Sequence, residues 1–456
     1  MVISRAAKRS VRENDNNRQM RYFSTNRRAA HASFREATLA GQPGDQGLYF
    51  PERIPELGAD FWRDLAGKSK EQIAFEVMRP YVGGDISNEK LYRICAETID
   101  FDFPLVRITD RIDALELFHG PTLAFKDVGA RLMSRCLGEF SRGRAEKTIV
   151  VVATSGDTGG AVASGFDGVD GVEVVILYPR GKVSRVQELQ LTTLGANITA
   201  LEVEGNFDDC QRLAKTALAD EELKRRVFLT SANSINVARW LPQQFYYFFA
   251  VRQWLARERN AENRKPVIAV PSGNFGNICA GILAHVSGLP CEKFIAATNA
   301  NDVVPVYIAT GRMERRQSTA TLSNAMDVAD PSNFVRILEI FDRDYLRLKE
   351  NLLAVSVSDE LTVRTMREVH ARCGYALDPH GAVGFYALAE YLKNAPGQSG
   401  FFLETAHPIK FDSVERILGT AGEVPAAIRE LSTRPSNRIP IKPVYEELKT
   451  ILEGKI

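Results

Sequence analysis

Between Leu105 and Thr230 short apolar runs alternate with helical stretches, and this alternation leaves few folds open to the chain. Thr148 to Ala153 is unbroken and β-branched, the composition of a parallel strand covered on both faces. Val172 to Tyr178, Ile198 to Val203 and Val227 to Thr230 repeat the pattern. Helices are predicted between them, from Ala161 onward, over Val183 to Leu194 and over Phe207 to Leu218. Such a βαβ series predicts an open parallel sheet. The long aromatic helix Leu241 to Ala256 is placed to be buried and to connect two sheets. Further strands are expected at Pro266 to Val270, Phe294 to Ala297 and Gly400 to Leu403.

Three loops share one grammar: an apolar strand, a run of Gly, Ser, Asn or Thr, then a helix start. They are Ser155 to Gly160, Ser231 to Asn236 and Ser272 to Asn277. In a parallel sheet such loops gather at the carboxyl edge, where ligands bind, and all three are expected along one such edge. Free N–H groups and the positive end of the helix dipole suit each to an anion. Ser155, Gly156, Asp157 and Thr158 suit a carboxylate. Gly273, Asn274, Phe275, Gly276 and Asn277 suit a phosphate, because glycine lets the backbone approach closely. Asn233 and Ser234, with Arg239, suit a second phosphate, which a guanidinium matches with two parallel bonds.

Lys126 stands in His119-Gly120-Pro121-Thr122-Leu123-Ala124-Phe125-Lys126-Asp127, before a helix predicted over Val128 to Phe140. Alone, such a lysine is a solvated cation, since charged side chains are mostly exposed. Among apolar neighbours its proton is held less tightly, and a neutral lysine forms a Schiff base with an aldehyde. One aldehyde and one phosphate together describe pyridoxal 5'-phosphate. Thr405, at the end of the Gly400 strand, can offer its hydroxyl to a neutral pyridine nitrogen.

Composition adds exclusions. The chain has 456 residues and a net charge of +1, so no global field favours nucleic acid or an acidic membrane. No apolar run reaches the roughly 18 residues of a membrane-spanning helix. Six cysteines stand singly and six histidines are dispersed, so no metal site is expected and free thiols suit a reducing cytoplasm. Residues 1–19 are polar and basic, and a disordered tail is expected there, with Met20 as an alternative start. In residues 20–104, Tyr22 to Thr25 and Leu48 to Pro51 are extended and Ser33 is placed to cap a helix. Lys70 to Tyr81 and Ser87 to Thr98 are amphipathic helices. Helices are further expected over 334–352, 358–373 and 382–394, with two short ones after Val424.

The motifs together resemble the threonine synthase family, in its long, N-terminally extended branch. The resemblance is carried by Tyr22-Phe23-Ser24-Thr25, Leu115 to Asp127, Thr154 to Gly159, Ser231 to Asn236, Ser272 to Asn277, Leu322 to Asp327 and Glu404 to Pro408. It implies the α/β fold of fold type II pyridoxal phosphate enzymes: two open, mainly parallel sheet domains plus a small N-terminal α+β domain. The implied division is 20–104, a smaller domain 105–240 with the Schiff-base lysine, and a larger domain 241–456 with the cofactor phosphate loop. It implies Lys126 as anchor and base, and residues 273–277 with Thr405 as further cofactor contacts. It also implies O-phospho-L-homoserine as substrate, held by residues 155–158, 233, 234 and 239, and conversion to L-threonine and phosphate. Shorter relatives carry Asn where this chain has Asp157, which leaves open the group nearest the cofactor's 3-oxygen. A phospholyase releasing 2-oxobutyrate and a non-catalytic phosphate-binding protein are the alternatives, and a monomer or homodimer in the cytoplasm is expected.

Overall fold

The computed structural model describes residues 19–456 apart from 145, 196, 258–264, 315 and 421. The tail expected over 1–19 therefore lies outside the described residues, except for Gln19, whose amide donates to Asp85 at 3.1 Å.

The N-terminal unit pairs β1 (Tyr22–Ser24) antiparallel with β2 (Tyr49–Pro51). Ser33 caps the helix Phe34–Ala40 in a full capping box with Glu36, which satisfies two N–H groups that a helix start leaves open. Helices Lys70–Val82 and Asn88–Thr98 follow with their own serine caps. Beyond them β3 (Leu105–Thr109) and β4 (Ile112–Glu116) form an antiparallel pair. Next come β5 (Thr148–Ala153), β6 (Val172–Pro179), β7 (Ile198–Val203) and β8 (Phe228–Thr230). Then follow β9 (Val267–Pro271), β10 (Lys293–Thr298), β11 (Leu352–Ser356), β12 (Gly400–Glu404) and β13 (Arg438–Ile441).

Two sheets result. One has the order β11-β10-β9-β12-β4-β3 and is parallel except for β3; the other has the order β13-β7-β6-β5-β8 and is parallel throughout. The strands are not shared out at residue 240. β4 pairs with β12, and β13 pairs with β7, so each stretch lends strands to the other's sheet. Ile112 to Leu115 is covered throughout, which suits the interior position that β4 takes between β12 and β3.

The aromatic segment begins as a turn of 3-10 helix, Leu241–Gln244, and continues as the helix Phe245–Arg257. It is buried, as its composition predicts. Phe248 meets Phe61 of the N-terminal unit edge-on at 5.7 Å, and Tyr247 meets Phe294 of β10 at 5.9 Å. Each fully buried aromatic contributes about 1.5–3 kcal/mol relative to exposure, so this helix ties the N-terminal unit to the six-stranded sheet. The helix expected over 334–352 is instead two, Phe334–Ile340 and Tyr345–Asn351. Asp342 and Arg343 take positive φ between them, and Asp344 caps the second. Among the described residues no helix is long and apolar enough to cross a membrane.

Candidate active site

The three loops do follow the carboxyl ends of parallel strands, but not of one sheet. Residues 155–160 and 231–236 follow β5 and β8 of the five-stranded sheet, whereas 272–277 follow β9 of the six-stranded sheet. Two of them meet across the sheets: Asn274 Nδ2 donates to Ser234 Oγ at 2.9 Å. Three helices also begin earlier than their periodicity predicts, at Lys126, Asp157 and Gly276. None of these three carries a side-chain cap. At Lys126 and Gly276 the first N–H groups are therefore free of side-chain acceptors, as an anion site requires, whereas in the helix at Asp157 the N–H of Gly159 is taken by Thr154 Oγ1.

Lys126 opens the helix Lys126–Ser141, and its approach is fixed by backbone pairing. Phe125 N donates to Thr405 O at 2.9 Å, and His407 N donates to Leu123 O at 3.0 Å. Leu123 sits at φ 57, and the Tyr246 hydroxyl donates to Phe125 O. Thr122 N donates to Asp127 Oδ2 at 3.0 Å, closing the turn. Gly120 has no room for a side chain, because a Cβ there would lie 2.5 Å from Asp127 Oδ2. So held, the Lys126 side chain is 18% exposed. Burial lowers its proton affinity, an effect that Asp157 opposes and that Lys410 and Arg239 reinforce.

Asp157 lies opposite, with Oδ2 3.8 Å from Lys126 Nζ. Its other oxygen accepts from Gln187 Nε2 at 3.0 Å and forms an ion pair with Lys410 Nζ at 3.0 Å. Burial pushes this carboxyl up, but Lys410 and Lys126 outweigh burial and hold it well below the carboxylate range. Gly156 stands at φ 138, where a Cβ would lie 2.4 Å from the Gln187 side chain, so only glycine serves. Thr154 Oγ1 accepts from Gly156 N at 2.9 Å and Gly159 N at 2.8 Å, which sets the loop. Ser155 is exposed and Thr158 partly so.

In the 272–277 loop, Gly273 packs against Met326 Cα, 2.6 Å from where its Cβ would be. That contact joins it to the Ser323 to Asp327 segment. Phe275 takes φ 61 and its ring meets Phe334 edge-on at 5.6 Å. Asn274 Oδ1 accepts from Ser332 N at 2.6 Å. Asn277 is turned inward, its Oδ1 accepting from the Tyr247 hydroxyl at 2.8 Å. Its Nδ2 has no hydrogen-bond partner.

The 231–236 loop is shaped from the N-terminal unit. Asn236 Nδ2 donates to Thr38 O at 2.9 Å, and Thr230 Oγ1 donates to Leu39 O at 2.8 Å. Arg239 is buried, with Nη1 on Ala232 O and with Nε lacking a hydrogen-bond partner. Burial brings its guanidinium down to about 10. Gly129 admits it, since a Cβ there would lie 2.5 Å from Arg239 O and 3.2 Å from Nε.

Thr405 follows β12 and is buried. Glu404 before it accepts from Asp378 N at 2.7 Å, and burial and the Asp378 carboxylate push its own carboxyl well up. Gly381 lies against it, 1.5 Å from Glu404 Oε2 for a built Cβ. Lys410, Gln187, Gln190 and Tyr246 were not identified from sequence. Lys410 offered one signal: a lysine between Ile409 and Phe411, just past the Glu404 to Pro408 motif.

These residues fit pyridoxal phosphate. Lys126 is an amine with lowered proton affinity, as carbonyl chemistry needs, and the uncapped helix at Gly276 offers N–H groups to a phosphate. Comparison with known proteins agrees. Residues 114–400 match the family described as "Pyridoxal-phosphate dependent enzyme". Residues 21–99 match "Threonine synthase N terminus", and residues 381–452 match "Threonine synthase, C-terminal". The chain is 43% identical to threonine synthase of Serratia marcescens, over 92% of this chain and 96% of that one. The crystal structure of threonine synthase from Escherichia coli superposes with a TM-score of 0.87 at 40% identity, covering 96% of this chain and 100% of that chain. The PLP-bound threonine synthase from Brucella melitensis gives 0.89 at 36% identity, covering 95% and 99%. The chain belongs to the threonine synthase family of pyridoxal-phosphate-dependent enzymes.

Proposed function

We propose that this chain takes O-phospho-L-homoserine and yields L-threonine and phosphate, with the residues above in the following roles. Pyridoxal phosphate, on Lys126 and the 273–277 loop, supplies the electron sink that acidifies the carbon bearing the amine. Lys126 takes the Cα proton, and its low proton affinity keeps the amine available near neutral pH. Gly276 and its neighbours hold the cofactor phosphate, and Thr405 offers its hydroxyl to the pyridine nitrogen. Ser155 to Thr158 hold the substrate carboxylate. Asn233, Ser234 and Arg239 hold the substrate phosphate, which leaves from Cγ before water adds at Cβ.

The observation that carries this reading is Arg239. A buried guanidinium with an idle Nε, near a second anion loop, calls for a ligand with a phosphate besides the cofactor's own. The scattered thiols support a reducing cytoplasm as the location.

The test supplies O-phosphohomoserine and pyridoxal phosphate to the wild-type chain and to Lys126→Ala. Threonine and phosphate in equal amounts are expected from the first and neither from the second. Release of 2-oxobutyrate in place of threonine would instead establish a phospholyase, and threonine formation by Lys126→Ala would overturn the role given to Lys126.

A further inference from the structure

Lys410 is fully buried and comes from the turn Pro408–Lys410, directly after the strand that carries Thr405. Its Nζ donates to Thr122 O at 2.6 Å and to Gln190 Oε1 at 3.0 Å, and it forms an ion pair with Asp157 Oδ1 at 3.0 Å. Gln190 is itself fixed, donating from Nε2 to Thr122 O at 2.9 Å. Lys126 is placed differently. Its nearest carboxylate oxygen is Asp157 Oδ2 at 3.8 Å, beyond hydrogen-bond reach. One carboxylate thus stands between two lysines and makes the closer ion pair, 3.0 Å against 3.8 Å, with the one that does no chemistry.

We propose that Lys410 is a positioning residue that takes Asp157 as its own counter-ion, and so leaves the Lys126 nitrogen without a partner strong enough to hold a proton on it. The other groups around Lys126 act alongside this pair. Arg239, from the helix Val237–Trp240, adds a second positive charge. Asp127 is tied to Thr122, and the Tyr246 hydroxyl is spent on Phe125 O. His407, directly before the turn, is pushed down to about 4 by burial, with His119 and Lys410 adding to the effect, and is neutral when the enzyme works. Asp157 is therefore the negative charge that faces Lys126 across the cleft, and Lys410 governs how much of it Lys126 feels. Asp157 and Lys410 form a charge-balanced set, which explains how an aspartate is tolerated beside a group that must lose its proton.

The inference rests on the reading of Lys126 as cofactor anchor. Its test uses the holoenzyme and reads the bound-cofactor absorbance as a function of pH, which reports protonation of the Lys126 nitrogen rather than turnover. Lys410→Met frees Asp157 for Lys126, and the midpoint is expected to rise by about one pH unit or more. Asp157→Asn removes the anion and keeps the Lys410 charge, and the midpoint is expected to fall. The double variant Lys410→Met, Asp157→Asn removes both charges and is expected to return to within about half a pH unit of wild type. If Lys410→Met does not fold, Asp157→Asn and the double variant still decide the matter, because only opposed charges restore the midpoint. Midpoints that coincide in all folded variants, or move the same way in Asp157→Asn and in the double variant, overturn the proposal. Borohydride reduction of the same samples locates the cofactor. Label on Lys126 with unmoved midpoints rejects the role of Lys410, whereas label elsewhere rejects the reading of Lys126 itself.

Discussion

Asn274 Nδ2 donates to Ser234 Oγ at 2.9 Å, and these two residues follow strands of different sheets. The bond joins the loop assigned to the cofactor phosphate to the loop assigned to the substrate phosphate. Ser234→Ala removes it without touching the core. A neutral hydrogen bond of this kind is worth about 1–1.5 kcal/mol, so kcat/KM for O-phosphohomoserine is expected to fall roughly tenfold. Melting should shift by less than about 2 °C. Steady-state kinetics with a thermal melt checks both, and an unchanged kcat/KM would remove Ser234 from the site.

Gly381 lies against Glu404, where a Cβ would stand 1.5 Å from Oε2. Gly381→Ala must displace Glu404 and with it the adjoining Thr405. Overpacking of this sort costs about 1–3 kcal/mol. The variant should melt earlier and lose pyridoxal phosphate faster on dialysis than wild type. Equal retention would mean that Thr405 does not help to hold the ring.

Burial and the neighbouring Asp378 carboxylate push the Glu404 carboxyl well above its ordinary value of 4.5. The folded chain therefore keeps a proton that the unfolded chain releases above that pH. By linkage the folded state loses stability as pH rises from there through the folded value. Glu404→Gln carries no such proton. Its stability relative to wild type, followed by melting, is expected to climb as pH rises from 5 toward 9, reaching a gain of about 1–3 kcal/mol. Parallel melting curves across that range would show that Glu404 is ionised in the fold.

Arg336 is buried and spends its guanidinium on carbonyls far apart in sequence. Nε and Nη2 reach Tyr49 O at 3.1 and 2.9 Å, Nη2 also reaches Ile235 O at 2.6 Å, and Nη1 reaches Asn333 Oδ1 at 2.7 Å. A lysine donates from one point and cannot span these acceptors. Arg336→Lys is expected to cost about 2–3 kcal/mol. Because Tyr49 belongs to the N-terminal unit, limited proteolysis should cut the Gly41 to Gly47 loop sooner in the variant. Wild-type digestion rates would show that the unit docks independently of Arg336.

The legible parts of the fold were those whose sequence reports their own burial. β5 and β9 lie inside sheets with both faces covered, so every residue but Thr148 is apolar and the strand shows as a run. β13 is an edge strand that is mostly exposed and contains Pro440, and nothing in Arg438 to Ile441 alone marks it. β11 follows a helix without a break and is only half-covered. The break at Asp342 and Arg343 has neither glycine nor proline to announce it. The site divides the same way. Lys126 and the three loops stand in short local motifs. Lys410 takes its place from acceptors at 122, 157 and 190, and no local window contains that arrangement.

β12 lies between β9 and β4 in the six-stranded sheet, although it is the last of that sheet's strands along the chain. A nascent chain emerging from the ribosome therefore carries β3 and β4, and later β9, β10 and β11, as two half-sheets with an open slot between them. The slot closes only when residues 400–404 arrive, and the wall that receives the Lys126 stretch, from Thr405 to His407, arrives with them. Until then two unpaired strand edges face one another, a state prone to mispairing. The backbone partners of the Lys126 stretch are therefore completed only at the end of synthesis, and a chain stopped short of residue 400 carries Lys126 without the Thr405 and His407 contacts that fix its approach.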